Sequence, residues 1–523
     1  MSYRTRRSER DGAFSGNQPG RAIIDIGSNT VRLVVYGGSM RAPTTLLNEK
    51  VTAQLGRAIA SEGVLAEEAI QLAMRGLKRF ALLLDDLGVV DIDCVATAAV
   101  REASNGKAFV KQLRALGFQP RVLSGEEEAC VSANGVAGAF PGATGTVADL
   151  GGGSLELVGI AKGEPGEAIS LPLGTLRLPE YRDDDKADSD MRKALTKALK
   201  KGAPAFGKSI GKGEPLFLVG GTWRTMAVFA MQEEGHPLSD PHGYRIDTDG
   251  AEKLAKTLAS QSVEDLQARD RISSMRAEKL PDAAVLLQAM LARIEPSELV
   301  FSSWGLREGL LYDRLPLHGK SQDPLLAGIG VFAAQRGAPP TLAARIAGWT
   351  VDAAPSRKHG SERIRLAATM LALASMQIEP NIRHPQAIEW ALHKRWIDVT
   401  DTERAMMGAA IAANGNNLDM PANVTELASE EALEEAICWG LAVRLARRIG
   451  ARSRRSLQVS RLTVRDETLV LRLEKSHEAL FGIPTEKDIR LLSGRLGLDW
   501  TVETVPDGEL HSDPEYDEEV PAK

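Results

Sequence analysis

Two short segments constrain the fold more than anything else in the chain. They are Ile24-Asp25-Ile26-Gly27-Ser28-Asn29-Thr30 and Ala148-Asp149-Leu150-Gly151-Gly152-Gly153-Ser154. Each follows a short apolar run that ends in Asp. Each leads into another apolar run, Val31-Arg32-Leu33-Val34-Val35 and Leu155-Glu156-Leu157-Val158. The pattern reads strand, Gly-rich hairpin, strand, written twice. A hairpin of small residues lets several backbone N–H groups converge on one point, which suits an oxyanion. An Asp at each strand end can hold a hydrated divalent metal. Two such hairpins far apart in the chain predict two lobes that clasp an anion between them.

Composition sets the frame. With 523 residues, several domains are expected. Hydrophobic residues make up 43% and charged residues 26%, as in ordinary globular proteins. The net charge of −6 gives no overall attraction to nucleic acid, so a polyanion would need local basic patches. Cys94, Cys130 and Cys438 fit no disulfide or metal spacing, and Cys94 and Cys130 sit in apolar stretches that predict buried thiols. Residues 1–20 are basic without an apolar core and read as a disordered leader, not a signal peptide. Residues 507–523 read as a disordered acidic tail. No apolar run reaches membrane-spanning length, and a cytoplasmic protein without membrane or nucleic-acid partners is expected.

Periodicity predicts an alternating α/β region. Strands are expected at 92–97 and 120–123, with helices over 66–87, 104–116 and 124–139. Ser124 before Glu126-Glu127-Glu128 reads as a helix cap with acids in the first turn. The breaker Pro141-Gly142-Ala143-Thr144-Gly145 is read as a boundary, giving lobes at 21–140 and 141–318. The second lobe repeats the grammar, with strands at 167–171, 216–219 and 299–301 and helices over 223–231 and 281–294. Gly319 to Pro324 reads as a linker. Ala-rich amphipathic segments follow at 325–350, 361–377, 386–394, 401–414 and 429–450. They predict a mostly helical domain over 325–455. A small α+β region over 456–506 closes the chain, with strands near 456–464, 469–473 and 499–505 around a helix near 487–496.

Three further segments carry chemistry. In Thr97-Ala98-Ala99-Val100-Arg101 a strand ends and a short helix presents Arg101. That Arg is either a surface residue or a guanidinium at the strand edge where α/β sheets place ligands. In Glu126-Glu127-Glu128 the acids complement the helix dipole, yet three exceed what capping needs, and one carboxylate could deprotonate a water. Gly220-Gly221-Thr222-Trp223-Arg224 opens a helix after a strand and points N–H groups at an anion, or forms a tight turn. No P-loop Gly-Lys-Ser/Thr occurs at these positions.

Taken together and in this order, these segments resemble the exopolyphosphatase / guanosine pentaphosphate phosphohydrolase (Ppx/GppA) family, as does Leu171-Pro172-Leu173-Gly174-Thr175-Leu176-Arg177-Leu178. The resemblance covers roughly residues 21–316. It implies two duplicated lobes of the actin-like, ribonuclease H-like superfamily, followed by a helical domain of HD-phosphohydrolase type. It implies Glu128 as catalytic base, in preference to Glu127, and Arg101 as a phosphate-facing residue. It implies Mg²⁺, with Mn²⁺ as the substitute, on Asp149 and Glu156 with Asp25 nearby. Phosphate would be held by Gly27, Ser28, Asn29, Thr30 and Arg32 from one lobe. Gly151, Gly152, Gly153, Ser154, Gly220, Gly221 and Thr222 would hold it from the other. The implied activity is release of orthophosphate from the end of inorganic polyphosphate. The alternative is hydrolysis of guanosine pentaphosphate, a stringent-response nucleotide, to the tetraphosphate. A superfamily kinase or a non-catalytic binding module fits the Glu-Glu-Ala segment less well. A homodimer through the helical domain is also implied.

Two basic clusters are candidate polyphosphate tracks. One is Arg192, Lys193, Lys197, Lys200, Lys201, Lys208 and Lys212; the other is Arg444, Arg447, Arg448, Arg452, Arg454 and Arg455, continued by Arg461 and Arg465. The second is the better candidate because it is Arg-rich with few acids between. The helical domain contains His359, His384 and His393 but the chain has no His-Asp dipeptide, which predicts a metal-free HD-like scaffold.

Overall fold

The computed structural model describes residues 19–182, 188–450 and 453–511. The expected leader and most of the acidic tail fall outside these, as does Arg452. The chain divides into two compact units, Met1–Pro324 and Leu325–Lys523.

The first unit contains two mixed sheets with the same internal order. In the first, β1 (Arg21–Ile26), β2 (Val31–Gly38), β3 (Pro43–Val51), β4 (Ile92–Ala96) and β5 (Pro120–Val122) are ordered β3-β2-β1-β4-β5. β1 to β3 form an antiparallel meander, and β4 and β5 add in parallel. The second sheet contains β6 (Gly145–Leu150), β7 (Leu155–Ala161), β8 (Glu164–Leu171), β9 (Leu216–Val219), β10 (Arg245–Asp247) and β11 (Glu298–Ser302). Its order is β10-β11-β9-β6-β7-β8, again an antiparallel meander extended by parallel strands, β9 and β11, with β10 added antiparallel at the edge. The duplication expected from the two Asp–Gly loops is thus present at the level of strand order.

Apolar faces build the cores. The helix Glu67–Asp86 turns Ile70, Ala73, Leu77, Phe80 and Leu84 inward against Ile24, Leu33 and Val35 of the first sheet. Burying one such side chain stabilises by about 1.5–3 kcal/mol. The expected short helix bearing Arg101 is Ala98–Glu102, and the helix expected from Ser104 is Gly106–Ala115. The chain turns sharply between them because Gly106 lies against the Val100 carbonyl, where a Cβ would stand 2.1 Å from the oxygen. Strand β3 was not foreseen.

The lobe boundary read at Pro141 separates the sequence but not the packing. The helix Gly125–Ala139 precedes that turn, yet Ala129, Ala133, Val136 and Ala137 bury against Val147, Val158, Phe217 and Val300 of the second sheet. Conversely, the helix Leu306–Asp313 ends the second half, yet Leu310 and Leu311 cover Ile23, Val34 and Val95 of the first sheet. Each lobe is capped by a helix from the other half of the sequence. The two helices cross at glycines. A Cβ on Gly309 would meet the Val131 carbonyl oxygen at 1.8 Å, and one on Gly135 the Gly305 oxygen at 2.3 Å.

The second unit is a helical bundle with a small sheet. The segment expected as one helical stretch at 325–350 is two helices, Pro324–Ala334 and Pro340–Thr350, because Pro339 and Pro340 cannot continue the first. The helices Glu362–Ser375, Arg383–Leu392, Asp401–Asn414 and Glu430–Gly450 follow. Arg404 is buried and donates from Nη1 to the carbonyls of Ala391, Leu392 and Lys394, closing the end of the Arg383–Leu392 helix. The terminal strands run Ser460–Arg465, Thr468–Glu474 and Asp499–Val505, with the helix Ile483–Leu496 between the last two. Residues 456–458, expected to begin the first of these strands, belong instead to the helical turn Arg454–Gln458. Among the described residues no helix is long and apolar enough to cross a membrane.

Candidate active site

The two Asp–Gly loops share one construction. The Gly27 N–H donates to the Thr30 carbonyl at 3.0 Å, and the Gly151 N–H to the Ser154 carbonyl at 3.0 Å. A following segment pins each loop. Gln54 and Gly56 donate to the carbonyls of Asn29 and Ser28, and Thr175 and Leu176 to those of Gly151 and Gly152. The loops meet tip to tip, so that a Cβ on Gly153 would stand 2.7 Å from Ser28 Oγ. Side chains there would hold the lobes apart.

Behind the loop tips lies a cleft of about 510 Å³. Asp25, Gly27 to Thr30, Arg32, Glu128, Asp149, Gly151 to Ser154 and Gly220 to Thr222 all border it. Strand register explains the pairing of functional residues. Asp25 lies opposite Arg32 and Asp149 opposite Glu156, so each pair shares a face of its sheet. Burial raises the carboxyl groups of both Asp25 and Asp149 above the usual range. Against that, Arg307 and Arg32 favour the charged form of Asp25, while a Ser132 hydroxyl bond and Arg224 do so for Asp149.

Glu128 occupies the first turn of the helix Gly125–Ala139, with 9% of its surface exposed. Its neighbour Glu127 is consumed by the cap: its carboxylate accepts from the Ser124 N–H at 2.7 Å, and the Ser124 hydroxyl accepts from the Glu127 N–H at 3.1 Å. That reciprocal bond leaves Glu128 facing the cleft. Burial pushes Glu128 up to about 7, offset by the hydrogen bond and charge of Arg101 and reinforced by Asp149 and Asp25.

Two expectations need correction. Arg101 does not border the cleft. Its Nη1 donates to the Leu123 carbonyl at 2.8 Å and to Glu128 Oε2 at 3.1 Å, so it holds the glutamate at the edge of the cleft. Glu156 does not border the cleft either. It is 2% exposed, accepts from Ser170 Oγ at 2.8 Å, and lies close enough to Glu128 that each disfavours the other's charge. Burial raises the Glu156 carboxyl well above the ordinary range.

The sequence reading missed a set of cations. Lys50, Arg276, Lys279 and Arg307 also border the cleft, joined by Arg224. Arg307 is the most central, close to Asp25, Asp149 and Glu308. Glu308 accepts from the Tyr36 hydroxyl at 2.9 Å and from the Gly305 N–H at 3.2 Å, which fixes the start of the helix carrying Arg307. Gly305-Leu306-Arg307 follows strand β11 as Gly220-Gly221-Thr222 follows β9, and that repeated strand–glycine–helix signal could have found it. Arg276 packs directly on Gly221, where a Cβ would lie 1.9 Å from its Nη2. Met275 accepts a contact from Asn29 Nδ2 at 3.4 Å, bridging the lobes.

The donor set suits a magnesium ion. Two recessed carboxylates, Asp25 and Asp149, face one cleft, and Asn29 Oδ1 is a buried acceptor without a partner. Among the described residues no three His, Cys, Asp or Glu side chains gather as a protein-only metal cage. Mg²⁺ needs no such cage, taking one or two carboxylates and completing its shell with water and phosphate oxygens.

The second basic track expected from the sequence is dispersed. Arg455 lies 3.9 Å from Glu474, and Arg465 3.8 Å from Glu503. Among the described residues of this run, Arg444 and Arg448, one turn apart on the helix Glu430–Gly450, meet at Asp488. Of the first cluster, Lys193 pairs with Asp190 and Lys212 with Glu295 on an exposed surface.

The chain is similar to known proteins over this region. Exopolyphosphatase 1 of Mycobacterium leprae is 28% identical over 313 residues, covering 56% of this chain and 88% of that protein. Retrograde regulation protein 2 of Saccharomyces cerevisiae is 28% identical over 341 residues, covering 60% of this chain and 58% of its own length. The crystal structure of an exopolyphosphatase from Cytophaga hutchinsonii superposes with a TM-score of 0.51 at 26% identity, covering 56% of this chain and 96% of that one. Residues 34–318, which include the second Asp–Gly loop, Glu128 and Arg307, match the model of one family, and the chain belongs to it: the Ppx/GppA phosphatase family.

Proposed function

We propose that the cleft hydrolyses the terminal phosphoanhydride bond of inorganic polyphosphate and releases orthophosphate. The observation that carries this reading is Glu128: a carboxyl raised by burial to about 7, fixed by Arg101, at the edge of a cleft walled by two anion-binding hairpins. A base with such a pKa accepts a proton efficiently near neutral pH. In its ionised form Glu128 orients a water against the terminal phosphorus and takes its proton. The water oxygen bonds to phosphorus as the anhydride P–O bond breaks, and the leaving phosphate keeps the electron pair. Backbone N–H groups of residues 27–30 and 151–154 bind the phosphoryl oxygens, and Arg32 and Arg307 meet the charge that spreads onto them. Asp25 and Asp149 would hold Mg²⁺, which when bound supplies charge neutralisation to the phosphate oxygens.

A second substrate, guanosine pentaphosphate, is favoured by the size of the cleft, since about 510 Å³ lies in the range of small-molecule sites. The helical unit is read as an HD-like scaffold for dimerisation, which sedimentation of the full chain would test. For the activity itself, the chain and its E128Q variant are incubated with Mg²⁺ and either long-chain polyphosphate or guanosine pentaphosphate. Phosphate release from polyphosphate that falls about 10²–10⁴-fold in E128Q is expected. Equal release by both proteins would remove Glu128 from its role, and release from the nucleotide alone would select the second substrate.

A further inference from the structure

One segment of the second lobe touches both the anion loop and the residues that hold the base. It follows strand β8, which ends at Leu171. Its Thr175 and Leu176 N–H groups donate to the Gly151 and Gly152 carbonyls at 3.0 and 2.9 Å. Gly174 lies so close to the loop that a Cβ would stand 2.3 Å from the Ser154 nitrogen. The backbone of the segment is therefore fixed to the anion loop. The next side chain, Arg177, donates from Nη2 to the carboxylate of Glu102. Glu102 is the neighbour of Arg101 on the helix Ala98–Glu102 of the first lobe. At the other end of the segment, Ser170 packs on the start of the helix that bears Glu128. A Cβ on Gly125 would stand 2.4 Å from Ser170 Cβ and 3.7 Å from Arg101 Nη2.

The Arg101–Glu128 bond itself joins elements of different lobes. Ala99 and Val100 pack in the core of the first sheet, and the helix of Glu128 packs on the second. The helix carrying Arg101 has five residues and no side-chain bond at its N-cap. So short a helix takes its orientation from tertiary contacts and not from its own hydrogen bonds. The Arg177–Glu102 ion pair is placed to supply one. Arg177 is 17% exposed and Glu102 33%, and neither forms another ion pair among the described residues. An arginine–carboxylate bond is directional as well as attractive, so a recessed one fixes geometry. Neither residue lines the cleft.

We propose that Arg177 and Glu102 are positioning residues for the hydrolysis read from the cleft. Their ion pair ties the anion loop Gly151–Ser154 to the helix of Arg101, and so sets the place of Glu128 relative to the bound phosphoryl group. Arg177 acts through Glu102, and Glu102 through Arg101. The inference rests on the catalytic reading for its effect on rate, and on the contacts alone for its effect on the helix.

Two measurements on the full chain test it. The parent, R177Q, E102Q, R177Q/E102Q and R177K are assayed with Mg²⁺ and long-chain polyphosphate, and their amide hydrogen exchange is followed by mass spectrometry. Each neutral single variant should lose about tenfold in kcat with KM changed by less than about twofold, since attack geometry is altered and not binding. R177Q/E102Q should lose no more than either single variant, because the pair acts as a unit. R177K keeps the charge and should fall between R177Q and the parent. Amides 98–105 should exchange several-fold faster in R177Q and E102Q, while those of the helix Glu67–Asp86 keep the parent rate. Full kcat in both single variants, losses that multiply in the double variant, or faster exchange throughout the first unit would each overturn the proposal. A parent that hydrolyses polyphosphate, with R177Q equal to it in rate and exchange, refutes this inference alone. A parent that hydrolyses nothing, with amides 98–105 loosened in R177Q, refutes the catalytic reading alone.

Discussion

Replacing Arg101 by glutamine separates two roles that a phosphate-site arginine can play. Its guanidinium touches Glu128 at 3.1 Å and the Leu123 carbonyl at 2.8 Å, and it stays out of the cleft. Its effect on the reaction should therefore pass through the ionisation of Glu128. That carboxyl stands at about 7 because burial outweighs the stabilisation supplied by Arg101. The base works only when ionised, so activity is present above the pKa and is lost as pH falls through it. Removing an opposite charge at contact distance raises a carboxyl by on the order of one unit or more. One unit is worth about 1.4 kcal/mol and cuts the ionised fraction at pH 7 from about half to about a tenth. The pH profile of kcat/KM for R101Q should keep its shape while its acidic limb moves up by about that amount. Above pH 8.5 the rate should largely recover, and R101K should lie closer to the parent protein. A uniform loss at every pH with an unmoved limb would refute the reasoning, because it would mean that Arg101 acts on the substrate.

Chelation should abolish hydrolysis by the parent protein, with recovery on adding Mg²⁺. D149N should need at least about tenfold more Mg²⁺ for half-maximal activity, as ligand loss lowers affinity; an unchanged requirement would remove Asp149 from the metal. At the helix crossing, G309A should destabilise the first unit by about 1–3 kcal/mol or more, since the new Cβ meets backbone and not a movable side chain. Its unfolding temperature should drop by several degrees, and an unchanged melting curve would contradict the close helix crossing, in which an added Cβ would stand 1.8 Å from the Val131 carbonyl oxygen.

The hairpins were legible in the sequence because their chemistry is local. Asp25 to Thr30 and Asp149 to Ser154 carry their turn, their small residues and their flanking strands within a dozen positions. Glu128 was separable from Glu127 by resemblance alone; the physical reason, a capping box that occupies Glu127, appears only in three dimensions. Strand β3 escaped notice because its edge position leaves Thr44, Asn48, Glu49 and Lys50 partly solvated, which blurs the apolar alternation. Arg307 escaped because its relation to Asp25 depends on a helix crossing from the far end of the unit. Arg101 and Glu156 were read by type and place, and type does not reveal which acceptor a side chain meets first. The basic run from Arg444 onward was visible as charge, but only the fold divides it into a converging group and paired outliers.

The exchange of helices between the lobes has a consequence for how the chain is made. The first sheet has all its strands by Val122, yet Leu310 and Leu311, which cover one of its faces, are synthesised nearly two hundred residues later. Until then the face bearing Ile23, Val34 and Val95 stays open. The Gly125–Ala139 helix waits in the same way for the strands of the second sheet. Neither lobe can be finished on the ribosome before the other is almost complete. A fragment ending at residue 140 should therefore be aggregation-prone, and the two halves are bound into one folding unit by the same crossing that brings Arg307 to the cleft.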